Sequence, residues 1–282
     1  MTAATTTAPV DRAARLGLTD RVHDVVVLIR RNLIHIAREP LQLSDATVQP
    51  VLFTLLFVYV FGSGVPINGG TYKDFAIPGL MLLNLTTAAM GTAVGLVSDI
   101  TTGAIDRFST LPMWRSAVLV GRSLADLLQA ALCVSIVALT GLAIGWRTDA
   151  SAGSILAGFG IALLFTYALS WACASLGIVS KGPESAQGIG LIILFPLAIV
   201  SNAMVPTSGM PGWLQTIANW NPVSAVTAAV RTLFGSPNPS AQLQAWPMLH
   251  PVIASLAWSA VLIAIFAPNA SRRPPNLRCQ NS

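Results

Sequence analysis

The sequence is poor in charge, histidine and cysteine, and each shortage excludes a class of function. Charged residues make up 10% of the 282 positions, against roughly 25% in an ordinary globular domain, which is too few to cover the surface of a soluble fold. The three histidines and three cysteines are scattered, so they form no metal or redox pattern. The sequence contains no GxSxG or HExxH motif, no acidic metal pair and no Walker A loop. It therefore offers neither the groups of a membrane enzyme nor the usual ATP site.

Charge is also missing from the middle of the long apolar runs. Hydrophobic residues make up 54% of the chain, and runs of about 20 of them recur, the length that crosses ~30 Å of hydrocarbon. Only Asp126 falls within such a run, near one end and four residues from Arg122, and we interpret it as structural. A secondary carrier would be expected to hold a functional charge near the midplane. The composition therefore predicts a polytopic membrane protein. The alternatives to a transport subunit driven by a separate ATPase are a secondary carrier or channel and a membrane enzyme acting on lipid.

The apolar runs predict an all-α fold with six transmembrane helices. We expect these helices at about 48–64, 76–98, 124–145, 154–179, 187–205 and 250–267. Residues 20–38 have an apolar face opposite Arg31, His35 and Arg38, which predicts an amphipathic helix lying in the membrane interface. Residues 1–19 are expected to be a disordered lead, 20–268 a single transmembrane domain, and 269–282 a tail.

Basic residues set the expected orientation. Thirteen arginines and lysines fall on the side of the amino terminus, and three fall on the other side, namely Lys73, Arg147 and Arg231. Loops rich in Lys and Arg stay in the cytoplasm. Both termini are therefore predicted to be cytoplasmic, in a multi-pass plasma-membrane protein, and the net charge of +5 indicates topology and no nucleic-acid partner.

Small residues and tryptophans predict where the helices pack and where they end. Gly91 and Gly95, and the small residues near Gly177, have the spacing that suits close helix packing. Four tryptophans lie near predicted span ends, as interfacial aromatic residues do, namely Trp146, Trp213, Trp220 and Trp246.

A polar stretch, residues 99–126, separates the second and third predicted spans. Within it Ile105, Phe108 and Leu111 recur every three residues and Pro112 follows at once, which predicts a short amphipathic helix with a definite end. A helix between two spans has little need of an apolar stripe unless a partner docks on it. The alternative is a solvated connector whose apolar side rests on lipid.

The connection between the fifth and sixth predicted spans contains a second pattern. Trp213, Leu214, Ile217 and Trp220 have helical spacing, and residues 223–234 form another short amphipathic piece. On the predicted topology this connection is external. Two short helices there would close the outer end of a pathway, and a membrane-resting loop with aromatic side chains fits the pattern equally well.

Two motifs carry a family resemblance. The run GAIDRFSTLP, residues 103–112, continuing through Arg115, resembles the cytoplasmic loop of type-2 ABC exporter permeases, and most of all that of daunorubicin-resistance (DrrB-like) membrane subunits. The later run 206–231, with PGWL and an Asn-Pro pair, is similar to the same family's segment before the last span. Thr101 and Ala104 stand where many members have Glu and Thr.

The resemblance implies a transport subunit that is not an enzyme. Such a permease moves hydrophobic or amphipathic compounds (a drug, a polyketide or a complex lipid) out of the cell, powered by a separate ATPase. The implied partners are a cytoplasmic ABC ATPase subunit, a second permease subunit in a homodimer or heterodimer, membrane lipid and the hydrophobic substrate. ATP and Mg²⁺ would bind to the ATPase, and this chain would bind no cofactor or metal.

Three groups of residues are expected to carry the function, and none of them is catalytic. The resemblance assigns ATPase coupling to Gly103, Ile105, Asp106, Arg107, Phe108, Leu111, Pro112 and Arg115. The cytoplasmic turn before the fifth span is expected to make a second contact through Lys181, Glu184 and Ser185. The external gate segment comprises Pro211, Trp213, Trp220, Asn221 and Pro222.

Overall fold

The computed structural model describes residues 40–62, 64–65, 67, 70–103, 117–239 and 245–272, and this part of the chain contains helices and no strand. The α-helices are α1 (Pro40–Phe61), α2 (Tyr72–Thr101), α3 (Ala117–Ala143), α4 (Ala152–Val179), α5 (Pro183–Ile199), α6 (Gly212–Trp220), α7 (Pro222–Phe234), α8 (Trp246–Leu249) and α9 (Pro251–Arg272). A 3₁₀ turn, Thr207–Gly209, precedes α6. The predicted all-α fold is confirmed for these residues.

Each of the six predicted spans coincides with a helix, α1 to α5 or α9. Among the described residues, four helical stretches are long and apolar enough to cross a membrane, namely Tyr72–Thr101, Ser123–Ala143, Ala152–Val179 and Pro251–Asn269. The apolar stretches Thr47–Phe61 and Pro183–Ile199 are shorter. The predicted lead 1–19, the interfacial helix 20–38 and most of the coupling segment lie outside the described residues.

Local sequence explains where several helices begin. The Asp74 carboxylate accepts hydrogen bonds from the backbone N–H (3.4 Å) and the hydroxyl of Thr71, which caps the first turn of α2. The Ser151 hydroxyl accepts the backbone N–H of Ser154 at 3.2 Å and caps α4. Pro183 lies at the first position of α5, where a backbone N–H would have no partner within the helix, so proline costs no hydrogen bond there.

Contacts between helices show that α2 to α5 alternate in direction. The hydroxyl of Thr92, late in α2, bonds to Asp126, early in α3, at 2.6 Å. Gly177, late in α4, approaches Ala93 of α2. Gly190 of α5 approaches Met90 of α2. Ala203, which follows α5 in the chain, approaches Gly79 near the start of α2. The start of α2, the α3–α4 turn and the segment after α5 therefore share one end of the bundle.

Helix α2 is the centre of the bundle. It packs against α1, α3, α4, α5 and α7, while α9 packs mainly against α4 and α7. Phe75, Ile77, Leu80, Leu82 and Leu85 of α2 are fully buried. These side chains lie in the first half of α2, and their burial holds this part of the helix against its neighbours.

Glycines allow the closest approaches, but not all at the predicted positions. A β-carbon at Gly177 would lie 2.9 Å from the Ala93 carbonyl oxygen, which confirms close packing there. At Gly91 a β-carbon would meet no described atom within 4 Å, so the expected packing at this residue is wrong for the described chain. Trp146 lies just after the end of α3, as expected, but its ring is 3% exposed and packs on Phe234, with centroids 5.8 Å apart, instead of facing the membrane interface.

The fifth predicted span ends earlier than expected. Helix α5 stops at Ile199, and residues 200–206 form an irregular segment. Ser201, Asn202 and Ala203 of this segment are buried. Irregular backbone at membrane depth is stable only where protein groups satisfy its N–H and C=O groups, so side chains from elsewhere must bind this segment.

Candidate functional site

The gate segment predicted from sequence lies in a cap at the end of the bundle where α2 begins. We call residues 200–239 and 245–249 the cap. Its helix α6 turns an apolar face outward, with Trp213 69% exposed and Ile217 and Trp220 more than half exposed. Pro211 is exposed as well, whereas Asn221 is buried. Helix α6 therefore has the exposed aromatic face expected of a segment in contact with lipid or a second subunit.

Helix α7 behaves differently from the predicted amphipathic surface piece. Almost all of its side chains are buried, including Val223, Val226, Val230 and Phe234. It packs against α2, α4 and α9. The interpretation of residues 223–234 as a membrane-resting loop is wrong, because small residues on every side let this helix insert among the others.

Asn221 joins α7 to the end of α5. Its side-chain oxygen accepts the backbone N–H of Val223 at 2.8 Å and caps α7, and Pro222 occupies the first helical position. Its side-chain nitrogen donates to the carbonyls of Leu197 and Val200, each at 2.7 Å. One amide thus starts one helix and satisfies carbonyls at the end of another.

We expect Asn221→Ala to destabilise the protein by about 2 kcal/mol, because a helix cap is lost and two partly buried carbonyls lose their donor. The melting midpoint of the purified protein should fall by roughly 4–8 °C. Asn221→Ser keeps a capping oxygen and should recover part of the loss. Equal midpoints for Asn221→Ala and wild type would show that this amide contributes nothing to the cap.

Arg231 is the main polar contact within the cap. Its side chain is fully buried, and it donates to three backbone carbonyls, from Nε to Phe75 at 3.1 Å, from Nη1 to Asn202 at 2.8 Å and from Nη2 to Ala203 at 2.8 Å. The guanidinium carbon also lies 3.7 Å from the centroid of the Phe75 ring. Within the described part of the chain no carboxylate bonds to this cation. Arg231 therefore ties α7, the start of α2 and the irregular segment together through backbone oxygens.

A neighbouring contact completes the binding of the irregular segment. The Tyr72 hydroxyl donates to the Met204 carbonyl at 3.2 Å, and the backbone N–H of Asn202 donates to the Ser224 hydroxyl at 3.0 Å. Three successive carbonyls, those of residues 202–204, are thus bound by side chains of α2 and α7. These contacts supply the hydrogen bonds that a helical continuation of α5 would have made.

The sequence reading missed the role of Arg231. It counted this residue as one of three external cations, although the side chain is fully buried and hydrogen-bonded within the protein. The sequence around Arg231 could have predicted its burial, because the residue lies in a helix of mostly small and apolar residues, VSAVTAAVRTLF, that has no polar face. A lone arginine there has to find carbonyls or a carboxylate inside the protein.

Gly103, the first of the predicted coupling residues, lies at the opposite end of the bundle. Gly103, with φ of 68°, ends the turn after α2 in the left-handed conformation that glycine adopts at little cost. The other predicted coupling residues, Ile105, Asp106, Arg107, Phe108, Leu111, Pro112 and Arg115, lie outside the described residues. Lys181, Glu184 and Ser185 are exposed at the start of α5, at this same end. The residues predicted for the second contact are therefore open to a partner.

Comparison with known proteins identifies the family. The model of the ABC-2 type transporter family matches residues 23–234, from the predicted interfacial helix to the last residue of α7. The chain belongs to the ABC-2 type transporter family. The matched range includes both the predicted coupling segment and Arg231.

Named relatives of this permease are similar over most of its length. It is 34% identical over 234 residues to the daunorubicin resistance ABC transporter permease protein DrrB1 of Streptomyces coeruleorubidus, covering 83% of this chain and 79% of the relative. It is 23% identical over 249 residues to the probable doxorubicin resistance ABC transporter permease protein DrrC of Mycobacterium tuberculosis, covering 87% and 86% of the two chains. A putative transport permease, ycf38 of Porphyra purpurea, is 24% identical over 220 residues, or 76% and 75%.

Family membership confirms the resemblance seen in the sequence. The protein is a membrane-spanning ABC transport subunit, and membership implies an ATP-binding partner. The described chain places Gly103 and Lys181 at one end of the bundle and the cap, held by Arg231 and Asn221, at the other.

Proposed function

We propose that this permease exports hydrophobic or amphipathic compounds, driven by a separate ABC ATPase in the cytoplasm. The observation that carries the proposal is the match to resistance permeases over most of the chain, the first of them 34% identical. The names of these relatives refer to daunorubicin and doxorubicin, which supports an amphipathic substrate for this chain as well. Family membership also favours this function over an uncoupled carrier, a channel or a lipid-modifying enzyme.

In the proposed complex two permease subunits, identical or similar, bind two ATPase subunits. Each permease has six spans, α1 to α5 and α9, an interfacial helix at 20–38 and both termini in the cytoplasm. ATP and Mg²⁺ bind to the ATPase, which presses on the stripe Ile105, Phe108 and Leu111. Asp106 and Arg107 fix the position of this stripe on the ATPase. The second contact with the ATPase is formed by Lys181, Glu184 and Ser185. Helix α2 passes the displacement to the cap, which opens outward.

The coupling stripe is tested by Phe108→Ala and Arg107→Glu. Truncating a buried interface aromatic should weaken assembly by about 1–2 kcal/mol, roughly five- to thirtyfold, and reversing the charge should act in the same direction. Co-purified ATPase and drug export from intact cells are measured together. Thr110→Ala, on the other side of the predicted helix, is the matched control. Wild-type values for both variants would mean that the stripe rests on lipid alone.

The orientation is tested by single cysteines in a Cys279→Ser background, since Cys133 and Cys173 are buried. Ser208 in the cap and Ser185 at the start of α5 are both exposed. An impermeant thiol reagent applied to intact cells should label Ser208→Cys and leave Ser185→Cys unlabelled until the cells are opened. The reverse pattern would invert the topology.

A further inference from the structure

Six residues of the irregular segment, 200–205, could continue α5 as a helix. They include no glycine or proline, and Pro206 follows them. Helix α5 has 17 residues, which at 1.5 Å each make about 25 Å, less than the ~30 Å of a hydrocarbon core. The backbone after Ile199 therefore still lies at membrane depth, and contacts with the rest of the protein keep it out of a helix.

Side chains take the place of the helical bonds at the end of α5. A continued helix would join the N–H groups of residues 201–204 to the carbonyls of residues 197–200. Instead, the carbonyls of Leu197 and Val200 accept hydrogen bonds from the Asn221 amide, each at 2.7 Å. Asn221 thus binds two of the four carbonyls that a longer α5 would use.

Two N–H groups of the segment are bound in the same way. The N–H of Asn202 donates to the Ser224 hydroxyl at 3.0 Å. The N–H of Ala203 donates to the Ser201 hydroxyl at 3.2 Å, and this hydroxyl donates to the Ala198 carbonyl at 2.6 Å. Three carbonyls and two N–H groups that a longer helix would pair are therefore already satisfied, so the irregular and helical forms differ little in hydrogen bonding.

The irregular form depends on the cap and on α2. Asn221 and Ser224 belong to the start of α7, and Arg231 and Tyr72 bind the carbonyls of residues 202–204. If α7 moved away from α5, the groups bound by Asn221 and Ser224 would lose their partners where water is scarce. Winding would give these groups helical partners. The last carbonyls of the longer helix would then reach the outer interface, where water binds them.

We propose that residues 200–205 are a helix–coil switch, which winds onto α5 when the cap separates from it and unwinds when the cap closes. The longer helix would have about 23 residues and a length of about 34 Å, enough to cross the hydrocarbon core. Pro206 sets its end, because helices usually stop at or before the residue that precedes a proline. The inference rests on the proposed opening of the cap and names the backbone change that accompanies it.

The test follows two carbonyls by NMR in the full chain, reconstituted in lipid nanodiscs. Residues 201–202 are the only Ser-Asn pair in the sequence, so carbonyl-¹³C serine with ¹⁵N asparagine gives one signal, from the carbonyl of the serine. Ala-Met pairs occur only at 89–90 and 203–204. A second sample, with alanine and methionine labelled in this way, therefore reports Ala203 together with Ala89, which lies within α2 and serves as the helical reference.

The double variant Tyr72→Phe/Ser224→Ala removes two contacts of the irregular form. In the wild type the Ser201 and Ala203 carbonyls should have non-helical chemical shifts. In the variant a helical signal should grow at both residues, by about fivefold in population for each hydrogen bond removed. Adding Ala203→Gly should lower the helical population at Ser201 again by about fivefold, because glycine disfavours a helix. Thr227→Ala is the matched control, since it removes a buried hydroxyl that bonds within α7.

Ser201 and Ala203 signals that stay non-helical in the double variant, beside an unchanged Ala89 signal, would overturn the switch. A new signal that Ala203→Gly increases would overturn it too, because a form that glycine favours is not a helix. If the double variant loses the Ala89 signal, it is unfolded, and Tyr72→Phe alone is judged by the same criteria. These measurements need no ATPase and no substrate, so they can fail while export and coupling are demonstrated.

Discussion

Replacing Arg231 by methionine is expected to lower the free energy of unfolding by about 3 kcal/mol or more. Methionine keeps the apolar stem, but the buried carbonyls of Phe75, Asn202 and Ala203 lose their donor, and each unsatisfied group costs about 1–3 kcal/mol. The melting midpoint in detergent should fall by roughly 6–12 °C. Arg231→Lys should be intermediate, since one ammonium cannot reach three carbonyls as a planar guanidinium does.

Arg147 is the matched control for this experiment. It lies at the same end of the bundle and donates to the carbonyls of Leu142 and Trp146, but it is exposed. Water replaces its hydrogen bonds when the side chain is removed, so Arg147→Met should change stability by no more than about 0.5 kcal/mol. A midpoint for Arg231→Met within that range would mean that the cap does not depend on the guanidinium.

The fold could be predicted from the sequence wherever apolar runs decide it. The helices α2 and α4 lie within a few residues of the predicted spans 76–98 and 154–179, because burial and lipid contact both demand apolar side chains there. The end of α5 could not be predicted in this way. Residues 200–205 contain no glycine or proline that would predict the end of a helix. Their carbonyls are bound by the side chains of Tyr72, Asn221 and Arg231, which are distant in sequence.

The candidate sites divide along the same line. The coupling stripe depends on local spacing, which a sequence displays directly. The cap depends on contacts of α2 and α7 with the backbone of residues 200–206, and the spacing of residues in the sequence does not reveal these contacts. Gly79 and Gly91 both lie in α2. The spacing of Gly91 and Gly95 predicts close packing at Gly91, whereas the structure places the closest backbone approach at Gly79. Burial of Arg231 removes it from the three cations assigned to the outside and leaves Lys73 and Arg147 there, which strengthens the charge asymmetry behind the predicted orientation.

Gly79→Ala is expected to disrupt the cap. A β-carbon at Gly79 would lie 1.7 Å from the carbonyl oxygen of Ala203, where real contacts stay beyond 3.0 Å. The backbone of residue 203 would have to retreat by more than 1 Å, and the same carbonyl would lose its bond to Arg231. Overpacking alone costs typically about 1–3 kcal/mol, and the lost hydrogen bond adds to it. We expect a loss of at least about 3 kcal/mol, measured as a lower melting midpoint and a smaller monodisperse fraction.

Gly91→Ala in the same helix separates this clash from the general effect of replacing glycine. A β-carbon at Gly91 meets no described atom within 4 Å, so the substitution should be neutral or stabilising by up to about 1 kcal/mol through reduced backbone freedom. If the midpoints of the two variants agreed, close contact between α2 and the irregular segment would not hold the cap. If Gly79→Ala alone falls, the approach of Ala203 to α2 is the contact that closes this end of the bundle. The loss should then be non-additive with Arg231→Met, because both changes break the bond at the Ala203 carbonyl.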